Sequence, residues 1–155
     1  MSKFKQINKM HFGILSAMPE EAGKILDNLK NVKVDKYGDL EIFTGEYFLN
    51  EENKIYISTC FSGWGKVSSA RAATRLISKT INKKQIDFIL FTGVAGSANE
   101  NLKQWDIVIS ESLIQYDLDC RPIFDKFTIP ALKRKEIFSN KIFFEKSLKK
   151  IDLFL

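Results

Sequence analysis

The chain has 155 residues, 45% of them hydrophobic and 28% charged, which is enough apolar material to bury a core and excludes a disordered tail. Its net charge of +5 comes from 24 basic residues, mostly lysines, interleaved with 19 acids, whereas a nucleic-acid binder shows a clustered basic face. Cys60 and Cys120 match no metal spacing, the start has no secretory apolar core, and no run is long enough to span a membrane. A cytoplasmic protein with reduced thiols, forming one domain or most of one, is the expectation.

Met10 to Ser16 reads as a buried first strand. Pro19 suits a first helical position, where its missing amide hydrogen costs nothing. Met18, Ala22, Ile25, Leu26 and Leu29 then follow the helical period and predict a helix over about 18–30. Leu40–Phe48 and Lys54–Cys60 read as two strands joined by the polar turn 49–53, a hairpin. After Gly65, the positions Val67, Ala70, Thr74, Ile77 and Ile81 predict the apolar face of a second helix. Phe88–Phe91 is a short uncharged strand, as in a sheet covered on both faces. Asp106–Leu113 reads as another strand and Asn140–Lys150 as an amphipathic helix. The alternation predicts an α/β fold with a mainly parallel or mixed central sheet flanked by helices, a single domain over 1–155. The last helix should cross over to a further core strand, which these residues do not supply, so the domain is expected to be incomplete.

Three segments carry candidate chemistry. Ser62-Gly63-Trp64-Gly65-Lys66 joins a strand to a helix, where bare amides can approach a ligand. It is neither a P-loop, since Cys60 and Val67 break that pattern, nor a dinucleotide fingerprint, since Ser68 replaces the third glycine. A tight turn and a binding loop explain it equally. Thr92-Gly93-Val94-Ala95-Gly96-Ser97 leaves backbone bare at the same sheet edge, where a flat aromatic ligand could lie. Glu20 and Glu21 open a helix, and the helix dipole alone accounts for them. His11 precedes the first strand and reads as a surface residue, with no Ser-His-Asp arrangement around it.

In order and spacing, five pieces resemble the 5′-methylthioadenosine/S-adenosylhomocysteine nucleosidases of the purine nucleoside phosphorylase-like superfamily. They are Gly13 to Glu21, Ser62 to Val67, Thr92 to Gly96, Asp106 to Ser110 and Tyr116 to Asp119. The resemblance implies hydrolysis of the N-glycosidic bond of a 5′-thio-adenosine to adenine and a thioribose, with an oxocarbenium-like transition state. It implies that Glu21 orients and activates the water, that Met18 lies beneath the ribose, and that Val94, Ala95 and Gly96 line the nucleoside site. Phe124 and Pro130 match a segment that reaches the neighbouring subunit's 5′-thio pocket. A homodimer needing no metal or organic cofactor is implied, with no nucleic-acid or membrane partner.

Two departures stand out. Trp105 replaces a glycine before Asp106. Nothing after Asn140 matches the family's ribose-binding Met-Glu pair or the aspartate that protonates adenine. A weak or inactive nucleosidase is therefore expected of these residues alone. The alternatives are a non-catalytic remnant, such as a dimerising or adenosine-binding paralogue, and a purine nucleoside phosphorylase. The last needs an arginine near the glycine turn, and Arg71 and Arg75 lie one and two turns into the helix.

Overall fold

The computed structural model describes residues 10–81 and 83–151. The chain divides into two compact units, one reaching to Gly96 and the other starting at Ser97.

The first unit is built on strands β1 (His11–Ser16), β2 (Lys30–Tyr37), β3 (Leu40–Phe48), β4 (Lys54–Phe61) and β7 (Phe88–Phe91), with the short pair β5 (Thr80–Ile81) and β6 (Lys84–Gln85) apart. The five-stranded sheet runs β2-β3-β4-β1-β7. β2, β3 and β4 are antiparallel, and β1 is parallel to both β4 and β7. The mixed α/β expectation holds. The β3–β4 turn is closed by Asn50, whose side-chain oxygen accepts the amides of Glu52 and Asn53 at 3.1 and 2.8 Å.

Successive residues of a strand face opposite ways, so β1 feeds two cores. Leu15 packs with Leu40, Ile42 and Cys60 against Ala72 and Leu76 of helix α1 (Lys66–Ile77). Ile14 packs on the other face with Leu29 and Ile57, beside the half-buried Ile25 and Leu26. Burial pushes the Cys60 thiol up to about 11, so it packs as a small hydrophobe.

Several expectations are corrected. Residues Pro19–Asn28 form a 3-10 segment broken at Gly23 (φ 55°, ψ −137°), in place of a continuous helix to 30. β2 follows at once and was not predicted; Val32 and Val34 alternate there with charged residues on an exposed edge strand. α1 is present but presents another face: Ala72 and Leu76 are fully buried, while Val67 is 85% exposed and Ile77 is also exposed. Leu76 fills the core because the small Ala72 and Ala73 beside it let the helix approach the sheet. β7 is not covered on both faces, since Leu90 and Phe91 are 56% and 63% exposed. Among the described residues it pairs with β1 alone. His11 is the first residue of β1 and is 1% exposed.

In the second unit, β8 (Ser112–Ile114) pairs antiparallel with β9 (Glu136–Phe138), and helix α2 (Lys141–Ile151) follows. The expected strand from Asp106 is mostly absent. The Asp106 carboxylate accepts the Lys103 amide at 2.8 Å, and the Asp106 amide donates to the Lys103 carbonyl at 3.2 Å. That turn takes up the backbone that would have started a ladder, and Trp105 within it has φ 79°. α2 lies where the amphipathic pattern put it, with the Asn140 side chain accepting the Phe143 amide at 3.2 Å.

Candidate functional site

The carboxyl ends of β1, β4 and β7 are laced together. The amides of Ser62 and Gly63 donate to the carbonyls of Ser16 and Ala17 at 2.8 and 3.1 Å, and that of Thr92 donates to Leu15 at 3.0 Å. Parallel strands of α/β sheets open their ligand crevice at this edge.

Glu21 sits in the first turn of the 3-10 segment, and its carboxylate folds back onto the strand ends. One oxygen, Oε2, accepts the amides of Ala17 and Met18 at 2.7 and 3.0 Å. The other, Oε1, accepts the Val94 amide at 3.2 Å. The Thr92 hydroxyl donates to the Glu21 carbonyl at 2.7 Å. These amides hold the carboxyl below the usual carboxylate range, Val94 most strongly, then Met18, with partial desolvation opposing them and Ala17 adding to them. Glu21 is therefore an anion at neutral pH. A carboxylate offers about four acceptor positions, and three are filled, so one remains on Oε1 for a water. Glu20, one residue earlier, points to solvent.

The structure thus brings together Met18, which caps the segment in extended conformation, Glu21 and Val94. Ala95 and Gly96 continue from Val94 as exposed, irregular backbone. The Ser62–Lys66 turn joins the same edge through the Gly63 amide. Phe124 and Pro130 belong to the second unit, where Phe124 is half-buried with its amide on the Cys120 carbonyl at 3.1 Å and Pro130 is exposed. Nearby, Arg121 holds the Asp119 carboxyl down to about 2. Sequence reasoning assigns Thr92 no role, because a threonine after a buried strand gives no sign that its hydroxyl will reach a carbonyl 71 positions earlier.

A cleft of about 470 Å³ lies elsewhere, over β2, β3 and β4, and contains none of these residues. Of its charged lining, Lys79 pairs with Asp35, and Glu46 pairs with Lys54 beyond the cleft. Among the described residues no group of three or more His, Cys, Asp or Glu could hold a metal ion. No described helix is long and apolar enough to cross a membrane.

Comparison with known proteins bears on this edge. The model of the Phosphorylase superfamily matches residues 11–146. The chain is 39% identical over 110 residues to a 5′-methylthioadenosine/S-adenosylhomocysteine nucleosidase of Buchnera aphidicola subsp. Schizaphis graminum, covering 71% of this chain and 43% of that protein. It is 34% identical over 113 residues to the corresponding nucleosidase of Hydrogenovibrio crunogenus, covering 73% and 45%. The crystal structure of the Campylobacter jejuni nucleosidase superposes with a TM-score of 0.75 at 28% identity, covering 90% of this chain and 57% of that one. That of the Colwellia psychrerythraea nucleosidase in complex with adenine gives 0.78 at 25% identity, covering 92% and 55%. The chain spans about half the length of these relatives. With the family model matching from β1 into α2, the chain belongs to the phosphorylase superfamily, and these relatives within it are methylthioadenosine/S-adenosylhomocysteine nucleosidases.

Proposed function

We propose that this chain carries the water-activating half of a nucleosidase that splits 5′-methylthioadenosine or S-adenosylhomocysteine into adenine and a thioribose. Such a reaction belongs to nucleoside catabolism and methionine salvage. The observation that carries the reading is the Glu21 carboxylate, fixed by three amides at the carboxyl edge of parallel strands with one acceptor position open. A carboxylate held this acidic is a poor base toward bulk water. It suits a water attacking an oxocarbenium-like carbon, because that water becomes a strong acid as the new bond forms. In this reading Met18 lies beneath the ribose, and Val94, Ala95 and Gly96 line the nucleoside.

Phe124 and Pro130 would reach the 5′-thio pocket of a second copy, in a homodimer that uses no metal or organic cofactor. A single domain is supported by the family model, which runs through both units. Free Cys60 and Cys120 fit a cytoplasmic protein. Arg71 is engaged by Asp39 at 2.7 and 2.9 Å, and Arg75 lies 4.8 Å over the Tyr37 ring. The arginines nearest the glycine turn are thus occupied elsewhere, which favours water over phosphate as the acceptor.

The test is adenine release from methylthioadenosine by the protein as its gene encodes it, wild type against Glu21→Gln. A loss of about 10²–10⁴-fold is expected, and equal rates would overturn the reading. The 155-residue polypeptide assayed by itself should be far slower than family-length nucleosidases, because it contains no match for the family's adenine-protonating aspartate. The same amide-held Glu21 edge could bind a nucleoside without cleaving it, which gives a second reading, a binding module without turnover. Calorimetric binding of a nucleoside analogue, with no adenine released under any condition, would select it.

A further inference from the structure

Gly93 lies between Thr92 and Val94, the two residues that hold Glu21. Its backbone does not require glycine: it has no positive φ, unlike Gly63 and Gly65 at 71° and 97°. What it requires is space. A Cβ at Gly93 would stand 3.1 Å from Glu21 Oε1, 3.4 Å from its Cδ and 3.6 Å from Oε2. Gly63 and Gly65 are the converse, with nothing within 4 Å of the same position. The missing side chain thus faces the oxygen that keeps an acceptor free.

Thr92 holds the same residue from the other side. Its amide is tied to β1 through Leu15 at 3.0 Å, and its hydroxyl reaches the Glu21 carbonyl at 2.7 Å. Two residues on, the Val94 amide meets Oε1 at 3.2 Å, the longest of the three bonds to the carboxylate. Main chain and carboxylate of Glu21 are therefore gripped by one three-residue stretch, 71 to 73 positions away in sequence.

We propose that Thr92 and Gly93 are positioning residues for Glu21: the Thr92 hydroxyl fixes its main chain, and the bare Gly93 gives its carboxylate a place against the loop with Oε1 open to a water. The meaning of this grip rests on reading Glu21 as the water-activating group, but the grip itself does not. Without the hydroxyl, the Thr92 amide on Leu15 alone anchors the start of the 92–94 turn, and the long Val94 bond is the first to go. With a methyl at 93, the Glu21 carboxylate must give by a few tenths of an ångström, which lengthens the already long Val94 bond and fills the ground beside Oε1.

The experiment follows the Glu21 carboxyl by carbon-13 NMR titration of the whole chain, in wild type, Gly93→Ala, Thr92→Val and Thr92→Ser. Weakening or loss of the Val94 bond should move the midpoint up toward that of an ordinary glutamate in Gly93→Ala and Thr92→Val, while Thr92→Ser keeps the wild-type value. An unchanged midpoint in Thr92→Val overturns the role of Thr92, and in Gly93→Ala that of Gly93. Thermal melting reports folding, and should Gly93→Ala not fold, the Thr92→Val and Thr92→Ser pair decides. Where adenine release is measurable, Thr92→Val should lower kcat about 10–100-fold with KM little changed; a change in KM alone would count against positioning. Glu21→Gln separates the two ideas: if it leaves adenine release intact, the nucleosidase reading falls while the titration result stands.

Discussion

The imidazole of His11 lies 2.8 Å from the hydroxyl of Ser58, deep in the sheet, and that hydroxyl lies 2.7 Å from the one on Thr44. Three polar side chains from three adjacent strands, β1, β4 and β3, thus form one buried chain on the face that also carries Leu15 and Cys60. Polar groups out of reach of water are tolerated when they satisfy each other. The chain also fixes register, since a one-residue slip of any of these strands would turn its own member of the chain to the other face.

His11 makes stability depend on pH near neutrality. Burial lowers its pKa below the ordinary 6.5; Asp87 and a backbone hydrogen bond with Lys84 oppose this, while the charges of Lys79 and Lys84 add to it. A buried imidazole resists a proton that the unfolded chain would accept. Stability from this group is therefore complete above about pH 6.5 and declines as pH falls below it toward the folded pKa. His11 is the only histidine in the sequence, so a fall in melting temperature between pH 7.5 and 5.5 can be assigned to it. His11→Asn should flatten that slope, whatever it does to absolute stability. A wild-type melting temperature that rises on acidification through this window would contradict the account.

Ser58→Ala should be costly beyond its size. The substitution removes a small hydroxyl but strands two buried groups, the His11 ring nitrogen and the Thr44 hydroxyl. Leaving a buried polar group unpaired costs about 1–3 kcal/mol. Urea unfolding should show a lower midpoint with unchanged slope. A loss indistinguishable from that of a surface serine would show that water reaches these groups.

Asp39 and Arg71 give a second pH signature, in acid. The fork of Arg71 donates to both carboxylate oxygens at 2.7 and 2.9 Å and holds the Asp39 pKa at about 2, below the ordinary 3.8. A carboxylate with a depressed folded pKa stabilises above its unfolded value and loses that contribution as pH falls toward 2. The pair ties the β2–β3 turn to α1, and Arg75 over Tyr37 adds to the same tie. Arg71→Ala should return the Asp39 titration to the ordinary range, read by NMR, and should flatten this part of the acid limb. An Asp39 midpoint unmoved by that substitution would rule out the pair as the cause.

The legible parts of the fold were those written as contiguous pattern. The hairpin Leu40–Phe48 and Lys54–Phe61, strand His11–Ser16 and the helix after Asn140 carry their own periodicity and turn residues. β2 was missed because an edge strand can be half lysine, and Lys30, Lys33 and Lys36 hide the alternation of Val32 and Val34. The expected strand at Asp106 has the apolar pattern, but its ladder partner is absent among the described residues, and pattern says nothing about partners. Glu21 was singled out over Glu20 only by resemblance. Their side chains are chemically alike, and the difference lies in three backbone amides that the fold alone assembles.

Helix α1 offers the sharpest contrast between pattern and packing. The apolar positions Val67, Ala70, Thr74 and Ile77 follow the helical period, yet the buried side chains are Ala72 and Leu76. A stripe of two alanines and one leucine is weakly hydrophobic by composition, but it lets the helix lie close over Leu15, Leu40 and Ile42. Leu76→Ala should therefore cost about 2–5 kcal/mol, the range for emptying a packed core site. Val67→Ala, at a site 85% exposed, should change stability by no more than about 0.5 kcal/mol. Both are read by denaturant midpoints on the same chain. If Val67→Ala proved the more damaging, the opposite face of the helix would be the buried one, and the sequence periodicity would have been the better guide.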